Sequence, residues 1–489
     1  MLVDELVDIA APVQPLDLGR AHHIFVSNIG GARMSAVAIL LAERGHIVSG
    51  HDPAPVTPFL PPLRTLGIQL HAGGDHTGLA RDVDAVVVST ATPADAREVT
   101  EARSRGVPVV HRKAALAALC ASRQTVAVAG THGKTTTAAL LATLLKAGGV
   151  KAGWVVGAPV PSLGRSAAWG SDDAPLVVEA DESDGTFLAL PVDVAVVTNI
   201  EPDHLEHYGT FATLVSAFER FLAGATGSRI VGADDDCARD LGRALGATSV
   251  GMAPEADVRI SDVRPLDIAG GPAADAGSSS GATGFRLEHD GTGRAVTAAV
   301  PIPGVHNVRN AAMALVAADA VGVPLERAAE ALATFGGVRR RFEHRGIAWG
   351  ATLIDDYAHL PSEVAAALSA ARAGSWRRVI CVFQPHRYSR TEALWRDFAD
   401  AFEDADVVAV TDVYAAGEAP RPGVTGKLIV DAVLESHPWR HVAYLPGLDD
   451  VARWLRIVLR PGDVCLTLGA GDLTSLPERL ITMSGANPP

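Results

Sequence analysis

From about residue 22 the chain alternates short apolar runs with amphipathic stretches. HIFVSNIGG (23–31) is followed by MSAVAILLAERG (34–45) and HIVSGHD (46–52), and later by DAVVVST (84–90) and GVPVVHR (106–112). Apolar runs of this length read as buried strands, and the stretches between them as helices with one apolar face, which predicts a parallel, doubly wound sheet. A second series opens at Thr125 with the strand TVAVAG and the helix TTTAALLATLLKAGG, and continues through PLVVEAD and DVAVVTNI. Residues 269–284, AGGPAADAGSSSGATG, hold almost nothing that could join a core and predict a surface loop. After GGVRRRFE (336–343) a third series follows, with strands expected at RRVICVF, DVVAV, HVAYLP and DVCLTLG. The expectation is an α/β protein of three consecutive domains, 1–121, 122–337 and 338–489.

Composition narrows the class. At 489 residues and about 150 residues per domain, three domains also follow from length. Hydrophobic residues make up 48% and charged residues 20% of the chain, as in compact globular proteins. The net charge of −14, with no long Lys/Arg run, disfavours nucleic acid and anionic membrane as partners. Cys120, Cys237, Cys381 and Cys465 form no C-x-x-C pair, which argues against a zinc site or a disulfide framework and fits a reducing cytoplasm. The start, MLVDELVDIAAP, is acidic where an export signal needs basic residues. A cytoplasmic protein without membrane insertion is expected, as a monomer or weak homodimer. Lysine occurs only at 113, 134, 146, 151 and 427, so a lysine within a motif stands out.

The strongest motif is Gly130-Thr131-His132-Gly133-Lys134-Thr135-Thr136-Thr137, between an expected strand and an expected helix. That setting is what a phosphate-binding loop needs. Loop and helix-start amides face the phosphates, the glycines allow close approach, Lys134 reaches the outer phosphates and the Thr135 hydroxyl suits Mg²⁺. The usual first glycine of such loops is replaced by Val128. Glu179, at the end of an expected strand, is a second oxygen donor fit for Mg²⁺. In QPHRYSRT (384–391), Arg387 and Arg390 beside His386 could clamp a carboxylate or phosphate.

GTHGKTTT resembles the short ATP loop of the Mur ligases and folylpolyglutamate synthetases, and the likeness to the Mur ligases extends over most of the chain. VVEADESDGTFL (177–188) is similar to the segment in which Glu179 matches the family's Mg²⁺-binding glutamate. TNIEPDHLEHYG (198–209) resembles the next motif, where His204 corresponds to a second metal or γ-phosphate residue. PGVHNVRNAAMA (303–314) looks like the adenine and ribose region, carrying His306 and Asn307. GGVRRRFE and DDYAHLPSEV (355–364) resemble the hinge and the start of the third domain, with Arg341 and Asp356 toward the nucleotide and Tyr357 and His359 around an amino acid. QPHRYSRT resembles the third-domain substrate motif, with His386, Arg387 and Arg390.

The resemblance implies a Rossmann-like first domain that binds a UDP sugar at Gly30 and Gly31, a central P-loop ATPase-like domain and a Rossmann-like third domain. It also implies ATP and Mg²⁺, and a two-step ligation through an acyl phosphate. Lys134, Glu179, His204, His359, His386 and Arg387 would carry the chemistry, with Thr135, Glu179 and His204 at the metal. The motifs are most similar to the branch that adds L-alanine to UDP-N-acetylmuramate. Three positions depart from the pattern: Asn28 and Arg33 stand where glycine is expected, and Leu360 where a second histidine is expected. They keep open a ligase for a recycled peptide or another amine, and a degenerate ATP-binding paralogue with a regulatory role. The same departures disfavour a dinucleotide-binding dehydrogenase, which wants G-x-G-x-x-G. Some Mur ligases hold a second Mg²⁺ with a carbamylated lysine, but no lysine lies between 152 and 426 here.

Overall fold

The structure, a computed structural model, describes residues 16–54, 56–57, 59–73, 78–267 and 281–485. The chain forms two compact units, one of residues 1–261, 287–296 and 309–334, the other of 262–286, 297–308 and 335–489.

The first unit contains a five-stranded parallel sheet in the order Gln69–Ala72, Ile47–Asp52, His23–Ser27, Ala85–Val88, Val109–His111. Each strand is the apolar run that the sequence pattern marks, except the short Gln69–Ala72. Strand order reverses at His23–Ser27, so the turn at 28–31 opens at the carboxyl edge where such sheets bind ligands. Seven strands of a second sheet also lie wholly in this unit, in the order Thr248–Gly251, Arg229–Gly232, Val194–Val197, Thr125–Ala129, Leu176–Glu179, Gly153–Val155, Ala167–Ala168. All but the last pairing are parallel.

One apolar core is shared by both sheets of this unit, from Ile24, Val26 and Leu40 through Ala127 and Val178 to Phe187 and Phe218. The helix Ala32–Glu43 is fastened at its far end as well. Glu43 accepts a bond from Trp169 N at 2.7 Å and pairs with Arg165 at 2.5 Å. The guanidinium groups of Arg44 and Arg123 lie over the Trp169 ring, 5.3 and 4.7 Å from its centre.

The second unit carries a six-stranded sheet in the order Glu343–Ala348, Ala351–Asp356, Val464–Leu468, Val379–Phe383, Val407–Val410, Val442–Tyr444. Its first pair is an antiparallel hairpin and the rest is parallel. The hairpin was not marked as such in the sequence, because its signal is a two-residue turn, Trp349-Gly350, with both φ values positive at 49° and 79°. Tryptophan is an unusual residue there. The expected loop at 269–284 needs a correction at its end: residues 281–284 open the strand Gly281–His289, where Leu266 packs against Gly284, and 269–280 lie outside the described residues. Among the described residues no helix is long and apolar enough to cross a membrane.

Gly50 sets how closely the first two strands and the 28–31 turn approach. A Cβ at Gly50 would lie 2.4 Å from Val26 O and 2.7 Å from the Ile29 side chain. Gly50→Ala is therefore expected to lower stability by about 1–3 kcal/mol through overpacking, measured by urea denaturation. An unchanged midpoint would show that the turn has slack.

Candidate active site

Three neighbouring parallel strands assemble the first constellation. Thr125–Ala129 lies between Leu176–Glu179 and Val194–Val197, with Val128 opposite Glu179 and Ala129 opposite Val197. Their carboxyl ends therefore deliver the 130–134 loop, Glu179 and the 198–204 segment to one edge. The loop is stitched to its neighbour: Thr131 N donates to Asn199 O at 3.0 Å, His132 N to Asn199 Oδ1 at 2.8 Å and Thr198 Oγ1 to His132 O at 2.5 Å. His132 Nε2 lies 3.1 Å from Glu201 Oε2. Gly130 has φ +128°, and a Cβ there would sit 2.0 Å from Thr198 Oγ1; at Gly133, φ +81°, it would sit 2.3 Å from Asn310 Oδ1. Neither position tolerates a side chain. Thr136, buried in the first turn of the helix Lys134–Ala147, belongs to the packing of that turn.

Lys134 has all three donors engaged. Its Nζ donates to Gly130 O at 2.5 Å, Thr131 O at 3.1 Å and Glu182 Oε1 at 2.7 Å. Burial works against its charge, but Glu182, with Asp181 and Glu179 behind it, outweighs burial and raises its pKa. Glu182 is the strained partner: burial raises its carboxyl against the pull of Lys134. Thr135 Oγ1 donates to Glu179 Oε1 at 2.8 Å, and Gly157 N to Glu179 Oε2 at 2.5 Å. A Cβ at Gly157 would fall 2.8 Å from the Glu179 carboxylate, so glycine keeps space open there. A hydroxyl and a carboxylate oxygen side by side are the hard donors that Mg²⁺ takes. His204, in the left-handed region at φ 55°, has its Nε2 3.4 Å from Asp203 and 3.9 Å from Glu182.

Beside these groups lies an ion network that sequence reading did not foresee. Asp181 meets Arg33 at 2.6 Å and Arg112 at 3.3 Å, and Arg112 also meets Asp184 at 2.6 Å. Burial would raise the Asp181 carboxyl, but Arg33 and Arg112 outweigh it and hold the group well below the usual carboxylate range. Arg33 thus turns toward the acidic segment from the first turn of the helix Ala32–Glu43. Asn28 takes the left-handed conformation that glycine adopts freely and asparagine tolerates, φ 53°, with its side-chain amide 3.3 Å from Thr92 Oγ1. Gly30 N is taken by Asp52 Oδ2 at 2.7 Å and Gly31 N by Asn28 O at 3.1 Å. The orphan amides of the helix's first turn follow directly after them.

The second unit holds another constellation at the carboxyl edge of its sheet. Tyr357 lies under the guanidinium groups of Arg340 and Arg341, at 4.9 and 5.1 Å. The rings then continue from Tyr357 to His359 at 5.4 Å, to His386 at 5.9 Å and to Tyr414 at 5.7 Å. His386 is pushed down to about 3, by burial first and then by the charges of His359, Arg390 and Arg387. Arg390 NH1 lies 3.3 Å from its Nδ1. Arg387 has φ 72°, pinned by its N–H on Tyr414 O at 2.8 Å. Asp356 is pushed up to about 6 by burial, against Arg341 and the amides of Phe342 and Ala358. Leu360 is buried and starts the helix Pro361–Arg372, where Glu363 takes its amide at 3.2 Å. His306 and Asn307 begin the helix Val305–Ala320, and Asn307 Nδ2 closes on Pro303 O at 2.7 Å.

Residues 23–124 match the Mur ligase family catalytic domain, 128–318 the Mur ligase middle domain and 340–471 the Mur ligase glutamate ligase domain. The chain is a Mur ligase. It is 40% identical to the UDP-N-acetylmuramate–L-alanine ligase of Thermobifida fusca over 98% of this chain and all of that protein. It is 44% identical to the enzyme of that name from Kineococcus radiotolerans, over 95% of this chain and 96% of the other. Among solved structures it is similar to the UDP-N-acetylmuramate–alanine ligase of Thermotoga maritima, with TM-score 0.76 and 28% identity, covering 94% of this chain and 98% of that one. A murein peptide ligase from Psychrobacter arcticus shares the fold at TM-score 0.66 and 23% identity, over 95% and 99% of the two chains. The three-domain α/β architecture and ligase class of the Mur ligases therefore apply here.

Within this Mur ligase, the first unit brings Lys134, Thr135, Glu179 and His204 to one sheet edge, and the second brings Tyr357, His359, His386, Arg387 and Arg390 to another. Glu182, Asn199 and Glu201 were inside segments read from sequence and were passed over, because an acid or amide in a loop carries no periodic signal of its partner.

The depressed His386 has a consequence for stability. Folded, it stays neutral down to about pH 3, while the unfolded residue charges near 6.5. Its contribution is present above 6.5 and lost as pH falls from there toward 3. The parent is expected to lose more melting temperature between pH 7 and 5 than His386→Gln; equal losses would place the histidine in water.

Proposed function

We propose that the chain joins L-alanine to the lactyl carboxylate of UDP-N-acetylmuramate, driven by ATP, in the cytoplasmic synthesis of peptidoglycan precursor. The observation that carries this reading is the single sheet edge where Lys134 stands beside the Thr135–Glu179 oxygen pair. The full-length likeness to alanine ligases at 40% and 44% identity supports the substrate pair over a recycled peptide or another amine. The GTHGKTTT loop with Glu179, and the His386, Arg387 and Arg390 set, disfavour a degenerate ATP-binding paralogue with a regulatory role. The proposed domains are 1–121 for the UDP sugar, 122–337 for ATP and 338–489 for the amino acid, a division that the three family matches support.

In this mechanism the sugar's carboxylate attacks the γ-phosphorus of ATP, ADP leaves, and the amine of alanine then displaces phosphate from the acyl phosphate. Gly130, Thr131, His132, Gly133, Lys134, Thr135 and Thr136 form the phosphate cradle; its amides and the Lys134 ammonium face the charge that builds on the transferred group. Thr135, Glu179 and His204 would hold Mg²⁺, whose chemistry when bound is to neutralise phosphate charge. Gly30 and Gly31 shape the turn for the diphosphate, and Arg33 stands next to it. His306, Asn307, Arg341 and Asp356 are assigned to the nucleotide. Tyr357, His359, His386, Arg387 and Arg390 are assigned to the amino acid and acyl group, with the arginines suited to a carboxylate. Neutral His386 offers one N–H donor and one ring-nitrogen acceptor there, without a positive charge.

Phosphate release from ATP in the presence of UDP-N-acetylmuramate, with the amino acid varied, tests the reading; L-alanine should be preferred. Lys134→Ala is expected to reduce turnover more than tenfold, given the several kcal/mol typical of such a contact, and to stay folded with a lowered melting temperature, because buried Glu182 loses its cation. Glu179→Gln should raise the Mg²⁺ needed for half-maximal rate. Turnover unchanged in the first variant, together with an unaltered Mg²⁺ titration in the second, would reject the site.

A further inference from the structure

Glu182 is not required by anything in the mechanism above, yet it is the most deeply placed acid of the phosphate site. Its side chain is 3% exposed. One oxygen receives Lys134 at 2.7 Å, while the other is buried with no hydrogen-bond partner among the described residues. Its backbone carbonyl accepts from Tyr208 Oη at 2.6 Å and from Gly185 N at 3.0 Å, so the residue is pinned and has little room to withdraw. The neighbouring acids are satisfied without Lys134: Asp181 by Arg33 and Arg112, Asp184 by Arg112, Glu179 by Thr135 and the Gly157 amide. For Glu182 the close cation is Lys134, and the His204 ring lies 3.9 Å away.

Lys134 has three N–H groups, all three already on protein acceptors. It can meet nucleotide phosphates only by giving some of these up, and leaving Glu182 would strand a buried carboxylate, which is costly unless another positive charge arrives. We propose that Glu182 is a positioning residue that occupies Lys134 as an internal stand-in for phosphate and yields it to the nucleotide when the charge of Mg²⁺ is present. Nucleotide affinity and metal are then coupled through Glu182. The inference rests on the reading of the loop as the ATP site.

Calorimetric titration of the full chain with the non-hydrolysable analogue AMP-PNP, in MgCl₂ and in EDTA, tests it on the parent, Glu182→Gln and Lys134→Ala. In EDTA, Glu182→Gln should bind the analogue about fivefold or more tighter than the parent, the lower end of ordinary coupling between ligands. The gain in affinity on adding Mg²⁺ should shrink by the same factor, a change that loss of mere structural support would not cause. Glu182→Gln with parental or weaker binding in EDTA and an undiminished Mg²⁺ gain overturns the proposal. If the parent does not bind the analogue in Mg²⁺, or Lys134→Ala binds it as the parent does, the ATP-site reading itself fails. Should the Gln variant not fold, Tyr208→Phe removes the hydroxyl that pins Glu182 and keeps both charges. Tighter binding in EDTA is expected of it too, and parental binding overturns the proposal.

Discussion

The candidate site of the first unit depends on the parallel pairing of Thr125–Ala129 with Leu176–Glu179 on one side and Val194–Val197 on the other. Parallel strands end at the same edge, so a glycine loop, an acid and a histidine-bearing segment far apart in sequence leave the sheet together. The pairing is enforced by burial: all five residues of the middle strand and their neighbours Val177, Val178, Val196 and Val197 are buried. Slipping the register by one residue would turn their side chains to the opposite face and carry Glu179 away from Thr135.

Around that edge three cations stand against three acids, unlike the acidic balance of the chain as a whole. The whole chain carries −14, whereas Arg33, Arg112 and Lys134 lie at the site with their charges matched against Asp181, Asp184 and Glu182. Buried ion pairs of this kind add little to stability in themselves, because desolvation offsets the attraction. What they fix is direction. Arg112 ties the 181–184 segment to the helix Arg112–Cys120, and the shared apolar core and the Glu43–Trp169 contact make the helix Ala32–Glu43 part of the same body.

Non-glycine residues with positive φ fall in four of the motifs: Asn28, His204, Arg340 with Phe342, and Arg387, with φ of 53°, 55°, 58°, 49° and 72°. Each such conformation costs roughly 1–3 kcal/mol outside glycine, less for asparagine, and persists only where the surroundings hold it. Here those surroundings include Thr92, Asp203 and Tyr414 O. These positions fall in the turn after the first strand, beside the Gly130–Lys134 loop and in the segments around the ring series of the second unit.

Much of this was legible in the chain itself. Apolar runs of four to six residues placed most of the parallel strands, because burial on both faces writes an unbroken hydrophobic signal, and the two glycines of the 130–134 loop stand where Thr198 and Asn310 leave no room for a side chain. Lys134, Glu179 and His386, marked in the sequence as candidates, lie in side-chain clusters of the structure. The Trp349-Gly350 hairpin was not legible, since it rests on two backbone angles, nor was the strand Gly281–His289 within the glycine-rich stretch. The partners of the acids were decided only by tertiary structure. Whether Arg33 would obstruct the turn or serve it, and which of Glu179, Asp181, Glu182 and Asp184 would face the lysine, depends on side chains 44 to 148 residues apart meeting at 2.6–2.8 Å. Charge pairing across such distances leaves no period in the sequence; it comes into being when the strands that carry the charges are packed side by side.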